Sequence, residues 1–466
     1  MAALTETIAV RVRRGRQVWR CGRLALLLLG WAASAAAQET PSAVQTQKLK
    51  NGLRVVLAPD TLSPAVDVSV WYRAGTRFEP LGQSGITHLM ERWMFRGSPH
   101  YKAGEHQRLV LAEGGVANTF TTSDASCFFD TVPPEALELA LKLEADRMGS
   151  VKLTADGLER ERRIVREERE QFARSGPLGA GLRRLYATAF PRHPYGWPVT
   201  GLDRDLDRIT LAACETYQRA QYAPDNAVLV LSGRFDPTLA MGLIRRHFGS
   251  LPPPSAPANK PATLAAQVTE QRAVERTDGD FPVLLVGWRA AGGADHSSAA
   301  LDVLARLLGD GPRSRAGREL VAGAPSRCIG VEGAFDARRD GSLLYVAALC
   351  RPGADSAEVE RALLGQATKL ASEAPESQEL DAVKRAIELE RLLDTQTARG
   401  RGQALGAAEA IFGDYRLSAA DLTRLRELTP DDVMKAAADV LKPERRSVVW
   451  LSPGSAGTAG SRGGAR

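Results

Sequence analysis

GITHLMERWMFRG, residues Gly85–Gly97, decides how the rest of the chain is read. The segment is apolar and helix-forming. His88, Glu91 and Arg92 recur in it at i, i+3 and i+4, which projects all three to the same side of a helix. A histidine, a glutamate three residues on and a second histidine directly after it would make a zinc-peptidase helix. Arg92 stands where that second histidine belongs. On these letters alone three readings stay open: a zinc site, a dismantled zinc site, or an ordinary helix that contains a His and a Glu.

The chain around this segment has 466 residues, long for one core and comfortable for two domains of about 200 residues each. Apolar content of 44% and charged content of 25% belong to an ordinary soluble folded protein. The N-terminus is unusual. Arg11, Arg13, Arg14, Arg16, Arg20 and Arg23 precede LALLLLGWAASA, and SAAAQET then offers small residues for cleavage near Ala37. That pattern describes a secretory signal peptide over residues 1–37 and predicts an exported, periplasmic protein. Its apolar run is short for a transmembrane span, and no other segment approaches about 18 uninterrupted apolar residues. Removing residues 1–37, which hold six Arg and Glu6, takes the formal charge from +6 to +1. A near-neutral mature chain gives no reason to invoke nucleic acid or anionic lipid.

Cys127, Cys214, Cys328 and Cys350 remain after cleavage, with no C-x-x-C pair, so a thiolate zinc knot or redox motif is not expected. RCIGVEGAF and SLLYVAALC read as strands around the turn DARRDGS. In a hairpin centred on Arg339, Cys328 and Cys350 fall opposite one another, which raises a cross-strand disulfide that a single bulge would defeat.

A Pro-rich stretch, Leu251–Gln267, reads as a linker between an N-terminal domain (38–250) and a C-terminal domain (268–452). A Gly/Ser-rich tail over 453–466 is expected to be disordered. The two domains look duplicated. Thr210 and Pro224 in the first match Thr429 and Pro443 in the second at one constant offset of 219 residues, each framing a helix and then an apolar strand. Strand patterns such as LRVVLAPD, AVDVSVWYRAG and PVLLVGWRAA alternate with helical ones such as EALELALKLEADRM. The expected fold is α+β: two homologous domains, each a mostly antiparallel sheet with helices on one face.

A zinc hydrolase needs three protein ligands, an open position for water and a base for that water's proton. Another carboxylate source is LERERRIVREERE (Leu158–Glu170), where Glu161 and Glu168 lie two turns apart on one face. By composition this is a solvated helix of alternating charge.

GITHLMERWMFRGS resembles the G-x-x-H-x-x-E-H-x-x-F-K/R-G-T/S segment of the pitrilysin/insulinase family, inverted-motif zinc peptidases that include the mitochondrial processing peptidases. LKNGLRVVLAPD, GGVANTFTTSDASCFFDTVP, LEADRM with ERERRIVREERE, FPRHPYGWPVTG and LGDGPRSRAGREL extend the similarity, in order, through nearly the whole mature chain. The resemblance implies that His88 and Glu168 are metal-ligand positions, Glu91 the general base and Glu161 a supporting acid. It implies an extended peptide lying along Val116–Thr122, with Asn118, Phe120 and Thr121 as the binding residues. The Arg and Tyr that the family's later domain gives to substrate fall on Val321 and Cys328, which have neither chemistry. Arg92 offers no acceptor to a metal and cannot deprotonate, so the metal site is degenerate. His106 is the histidine best placed to substitute.

The expectation is therefore an exported, non-catalytic member with no cofactor, in which Arg92 replaces zinc by pairing with Glu168 or Glu91. It binds extended peptides, or pairs with an intact family member or a second copy. The alternatives are an active zinc endopeptidase with an atypical ligand set and a scaffold that uses the fold without binding peptide.

Overall fold

A computed structural model describes residues 43–173, 176–253, 257–277 and 279–454. Residues 1–37, expected to be a signal peptide, and nearly all of the tail lie outside the described residues, as do residues 254–256 of the Pro-rich stretch. No described helix is long and apolar enough to cross a membrane.

The first half builds a six-stranded sheet from β1 (Gln45–Lys48), β2 (Arg54–Pro59), β3 (Val66–Tyr72), β4 (Val116–Thr121), β5 (Ser126–Val132) and β6 (Ala227–Gly233), in the order β1-β2-β6-β3-β5-β4. The second builds a five-stranded sheet from β7 (Gln271–Thr277), β8 (Val283–Ala290), β9 (Cys328–Asp336), β10 (Ser342–Cys350) and β11 (Arg446–Pro453), in the order β7-β11-β8-β10-β9. Apart from β1 the two orders superpose strand for strand. One pair in each sheet is parallel, β2 with β6 and β7 with β11, and every other pair is antiparallel. The matched threonines perform the same task, Thr210 capping one helix through Ala213 N (3.2 Å) and Thr429 the other through Asp432 N (3.3 Å).

Strands β3 and β6 are buried at every residue, which requires cover on both faces of the sheet. One face carries helices of the same half, including Ile86–Trp93, Leu137–Ser150 and Leu211–Gln221. The other face receives Ala398–Ala407 from the second half, whose Leu405 packs among Val56, Trp71, Phe129 and Val230. The exchange is reciprocal, because Pro177–Ala189 of the first half lies on the second sheet, with Leu185 and Ala189 against Leu285, Leu343 and Val449. Glycine permits the close approach. A Cβ at Gly406 would meet Trp71 Nε1 at 2.1 Å, and one at Gly181 would meet Leu285 Cδ1 at 2.5 Å. The tip of the β9–β10 hairpin adds a polar seam between the halves. Arg77 pairs with Asp340 (2.7 Å), and Asp124 accepts from both Tyr195 Oη (2.6 Å) and Arg339 N (3.2 Å).

Asp67 on β3 is buried beneath this exchanged helix. Thr131 Oγ1 donates to one carboxylate oxygen (2.7 Å), and the other has no hydrogen-bond partner among the described residues. Burial pushes its pKa from 3.8 up to about 7, against the opposing hydrogen bond of Thr131. A carboxyl raised in the folded state contributes stability that is complete below the unfolded pKa and lost as pH rises through the folded one. Thermal melts from about pH 5 to about pH 8 should show the wild-type midpoint falling by roughly 3–6 °C relative to Asp67→Asn, which removes this titration. Parallel curves for the two proteins would contradict this account.

Candidate functional site

The motif helix, Ile86–Trp93, begins at Gly85, whose φ of 92° is left-handed and whose missing Cβ leaves room for Gly201 Cα at 2.9 Å. Its first N–H groups are satisfied from outside the segment. The buried carboxylate of Glu79 accepts from Gly85 N (3.0 Å) and Thr87 N (3.1 Å), so negative charge sits at the positive end of the helix. Burial nevertheless raises the pKa of Glu79 to about 7. Ile86, Leu89, Met90 and Trp93 face the core, which turns His88, Glu91 and Arg92 toward the neighbouring charged helix, Ala155–Ala173.

That helix is not solvated all round. Leu158 and Val165 are core residues, and the Arg162 guanidinium donates to Leu206 O (2.8 Å) and Ile209 O (2.6 Å). Glu161 is fully buried and Glu168 about a third exposed. Both carboxylates reach the motif helix, as expected from their two-turn spacing.

Three cationic groups meet three carboxyl groups between the two helices. Arg92 Nε donates to Glu161 Oε2 (3.0 Å), and another nitrogen of the same guanidinium pairs with Glu168. Arg96, one turn further along, pairs with the second oxygen of Glu161. His88 sits between the other two contacts, with Nδ1 3.1 Å from Glu91 Oε2 and Nε2 2.9 Å from Glu168 Oε2. Carboxylates on both ring nitrogens require both to carry hydrogen. Burial alone would depress the pKa of His88, but the hydrogen bonds to Glu168 and Glu91 outweigh it and raise it to about 9. Burial likewise works to raise Glu168, and His88 and Arg92 hold it below its ordinary value. Of the two partners expected for Arg92, Glu168 is found and Glu91 is not. Glu161 takes that place because Glu91 is turned to the far side of the imidazole.

These residues do not fit a catalytic zinc. Glu91 and Glu168 address opposite nitrogens of His88, so the donors do not converge on one point. The guanidinium that separates Glu161 from Glu168 has no lone pair to offer. Nor does His106 replace the missing ligand. Its Nε2 contacts Asp130 (2.9 Å) and its Nδ1 accepts from Arg147 (2.8 Å), in a separate buried cluster with Glu144. Arg147 also donates to Glu144 (2.8 Å), so a cation already stands among these carboxyl groups.

Strand β4 is the outer edge of its sheet and, among the described residues, pairs with β5 alone. Of the expected binding residues, only Asn118 is exposed. Phe120 is half-buried, edge-on to Trp71 (5.5 Å between centroids), and Thr121 is buried, 3.0 Å from Ser126 Oγ. Thr121 therefore faces the protein, and what this edge presents outward is the strand backbone not paired with β5 among the described residues, together with Asn118. Val321 packs at the second core, and Cys328 is fully buried. Sequence alone does not single out Glu79 and Arg96. The signal for Arg96 was its i+4 spacing from Arg92. Glu79 gave none, since a carboxylate reaching forward six residues has no fixed pattern.

Residues 54–201 match the model of the insulinase family (peptidase family M16), and residues 208–387 match that of the peptidase M16 inactive domain. The zinc protease PqqE of Helicobacter pylori is 32% identical over 308 residues, covering 64% of this chain and 68% of its own. A solved protease from Helicobacter pylori superposes with a TM-score of 0.84 at 26% identity, over 89% of this chain and all of the other. A peptidase M16 inactive domain from Pseudomonas fluorescens superposes with a TM-score of 0.79 at 20% identity, over 88% of this chain and 98% of the other.

Proposed function

Because the chain belongs to the insulinase family, peptidase family M16, we propose that it is an exported, non-catalytic member that holds its cleft together with an arginine in place of zinc. One observation carries this reading: the Arg92 guanidinium is paired with both Glu161 and Glu168, at the position the resemblance gives to the second ligating histidine. A buried carboxylate pair needs a compensating cation. In an active relative the metal supplies it, and in this chain Arg92 and the doubly protonated His88 do so together. With the metal position taken, Glu91 has no bound water to activate, and its carboxylate orients His88 instead.

Binding remains open to the chain. An extended peptide adds to the free edge of β4 through main-chain hydrogen bonds, with Asn118 beside it. Pairing with an intact family member would let the chain shape a chamber in which the other chain carries out the chemistry. The basic and apolar pattern of residues 11–37 supports export.

The test is metal analysis and peptide cleavage on the full chain expressed in zinc-replete medium, with co-purification from the native source to identify a partner. The expected result is well under about 0.1 zinc per chain and no cleavage of unfolded protein, since two ligand positions fall short of the usual three. About one tightly held zinc, with chelator-sensitive cleavage lost in Glu91→Gln, would establish an active enzyme instead.

A further inference from the structure

The β9–β10 hairpin carries a feature that the peptidase reading leaves unused. From Leu343↔Asp336 to Leu349↔Gly330 the strands keep one register, which if continued would put Cys350 opposite Ile329. A bulge between Leu349 and Cys350 shifts the pairing by one residue and brings Cys350 opposite Cys328. Ile329 is the residue expelled, 42% exposed at the sheet edge, while both cysteines turn into the second core. Cys350 N donates to Pro282 O (2.8 Å) on its other side, and the next ladder bond is Arg351 N to Arg327 O (3.0 Å). The cysteines therefore occupy a non-hydrogen-bonded pair, the position where opposed side chains come closest. Their sulfurs are 3.8 Å apart. Cys127 and Cys214, by contrast, lie in the first half, on β5 and on the helix Leu211–Gln221.

We propose that Cys328 and Cys350 are a disulfide-forming pair, closed when the chain meets a small-molecule or protein disulfide as oxidant. Cys328 is the attacking sulfur: its contact with Cys350 and the charges of Arg327 and Arg351 lower its pKa against the opposing effect of burial. Its thiolate attacks a sulfur of the external disulfide, forming a mixed disulfide and releasing one thiol. The Cys350 sulfur then attacks Cys328, forming the intramolecular S–S bond and releasing the second thiol. Two protein thiols are oxidised, one external disulfide is reduced, and the two protons leave on the released thiols. Access comes from fraying of β9, the last strand of its sheet, or during folding before that strand pairs. The bond fastens the entry to β9 at the place where the resemblance sets a substrate-holding tyrosine. In the cell it rests on the export reading, but its chemistry does not.

The experiment folds the full chain with glutathione disulfide and, separately, exposes the folded reduced chain to the same reagent, then alkylates and maps peptides. The expected result is a Cys328–Cys350 linkage with Cys127 and Cys214 alkylated. The melting midpoint should be roughly 5 °C higher than after reduction. Cys328→Ser, or Cys350→Ser should the first fail to fold, loses that redox-dependent shift. All five thiols of the full chain remaining alkylatable under both protocols would overturn the proposal, and so would linkage only through Cys21, Cys127 or Cys214. Zinc content is read separately, so failure here leaves the peptidase reading untouched.

Discussion

The Arg92→His chain, reconstituted with zinc and dialysed, should retain about one ion per molecule where the wild type retains essentially none. The substitution acts twice on the same few cubic ångströms. It removes a fixed cation paired with Glu168 and Glu161, and it supplies a neutral nitrogen one residue from Glu91. Glu161 keeps Arg96, so its burial remains compensated, while Glu168 is freed to serve as a ligand. His88 must then give up one proton, which the incoming dication favours. Cleavage should stay weak even so, because Val321 and Cys328 cannot polarise a peptide carbonyl. Elemental analysis on a chain of wild-type circular dichroism decides the matter. A folded variant without zinc would mean that the two helices are set wrongly for a metal, with Arg92 a consequence rather than the cause.

Arg147→Met should be the more damaging change to stability, by about 3–5 kcal/mol, or roughly 3–6 °C in melting midpoint. Arg147 is only 3% exposed, donates to Glu144 and His106, and lies over the rings of Phe95 (4.6 Å) and Phe128 (4.9 Å). Methionine preserves much of the apolar contact but leaves Glu144 and Asp130 buried without a cation. Burial already raises both carboxyl groups to about 7, with Arg147 opposing it. By the same linkage as for Asp67, the loss should grow as pH rises through that value. Adding Glu144→Gln to Arg147→Met should recover more than half of the loss. Were the single substitution to cost less than about 1 kcal/mol, the cluster would not be the charge-compensated unit described above.

Most of the architecture was legible because the central strands are apolar and the helices amphipathic. Every strand inferred from alternation is present. Alternation does not reveal β1 (QTQK) and β7 (QRAVERT), edge strands whose residues are mostly polar and solvent-facing, so burial imposes no pattern on them. The charged helix hides its inner face for a related reason: Leu158 and Val165 fix that face, but the thirteen residues of LERERRIVREERE display mainly charge. The cysteine pairing was reached through a symmetric hairpin centre, yet it comes about only because the ladder is out of step by one residue and a bulge restores it. In the site, the residues came from the resemblance and their partners from geometry. Sequence spacing brings Glu161 and Glu168 to one face but cannot say which guanidinium nitrogen reaches which carboxylate.

The reciprocal loan of Pro177–Ala189 and Ala398–Ala407 ties the fates of the two halves together. Cut at the Pro-rich stretch, each fragment would carry a homeless apolar helix and a sheet with one bare side, and would be a poor soluble module. A two-sheet chain built this way cannot discard either half without uncovering the sheet of the other. On the reading proposed above, loss of a metal ligand in one half leaves that half indispensable as the other's missing wall, so the chain persists as a whole.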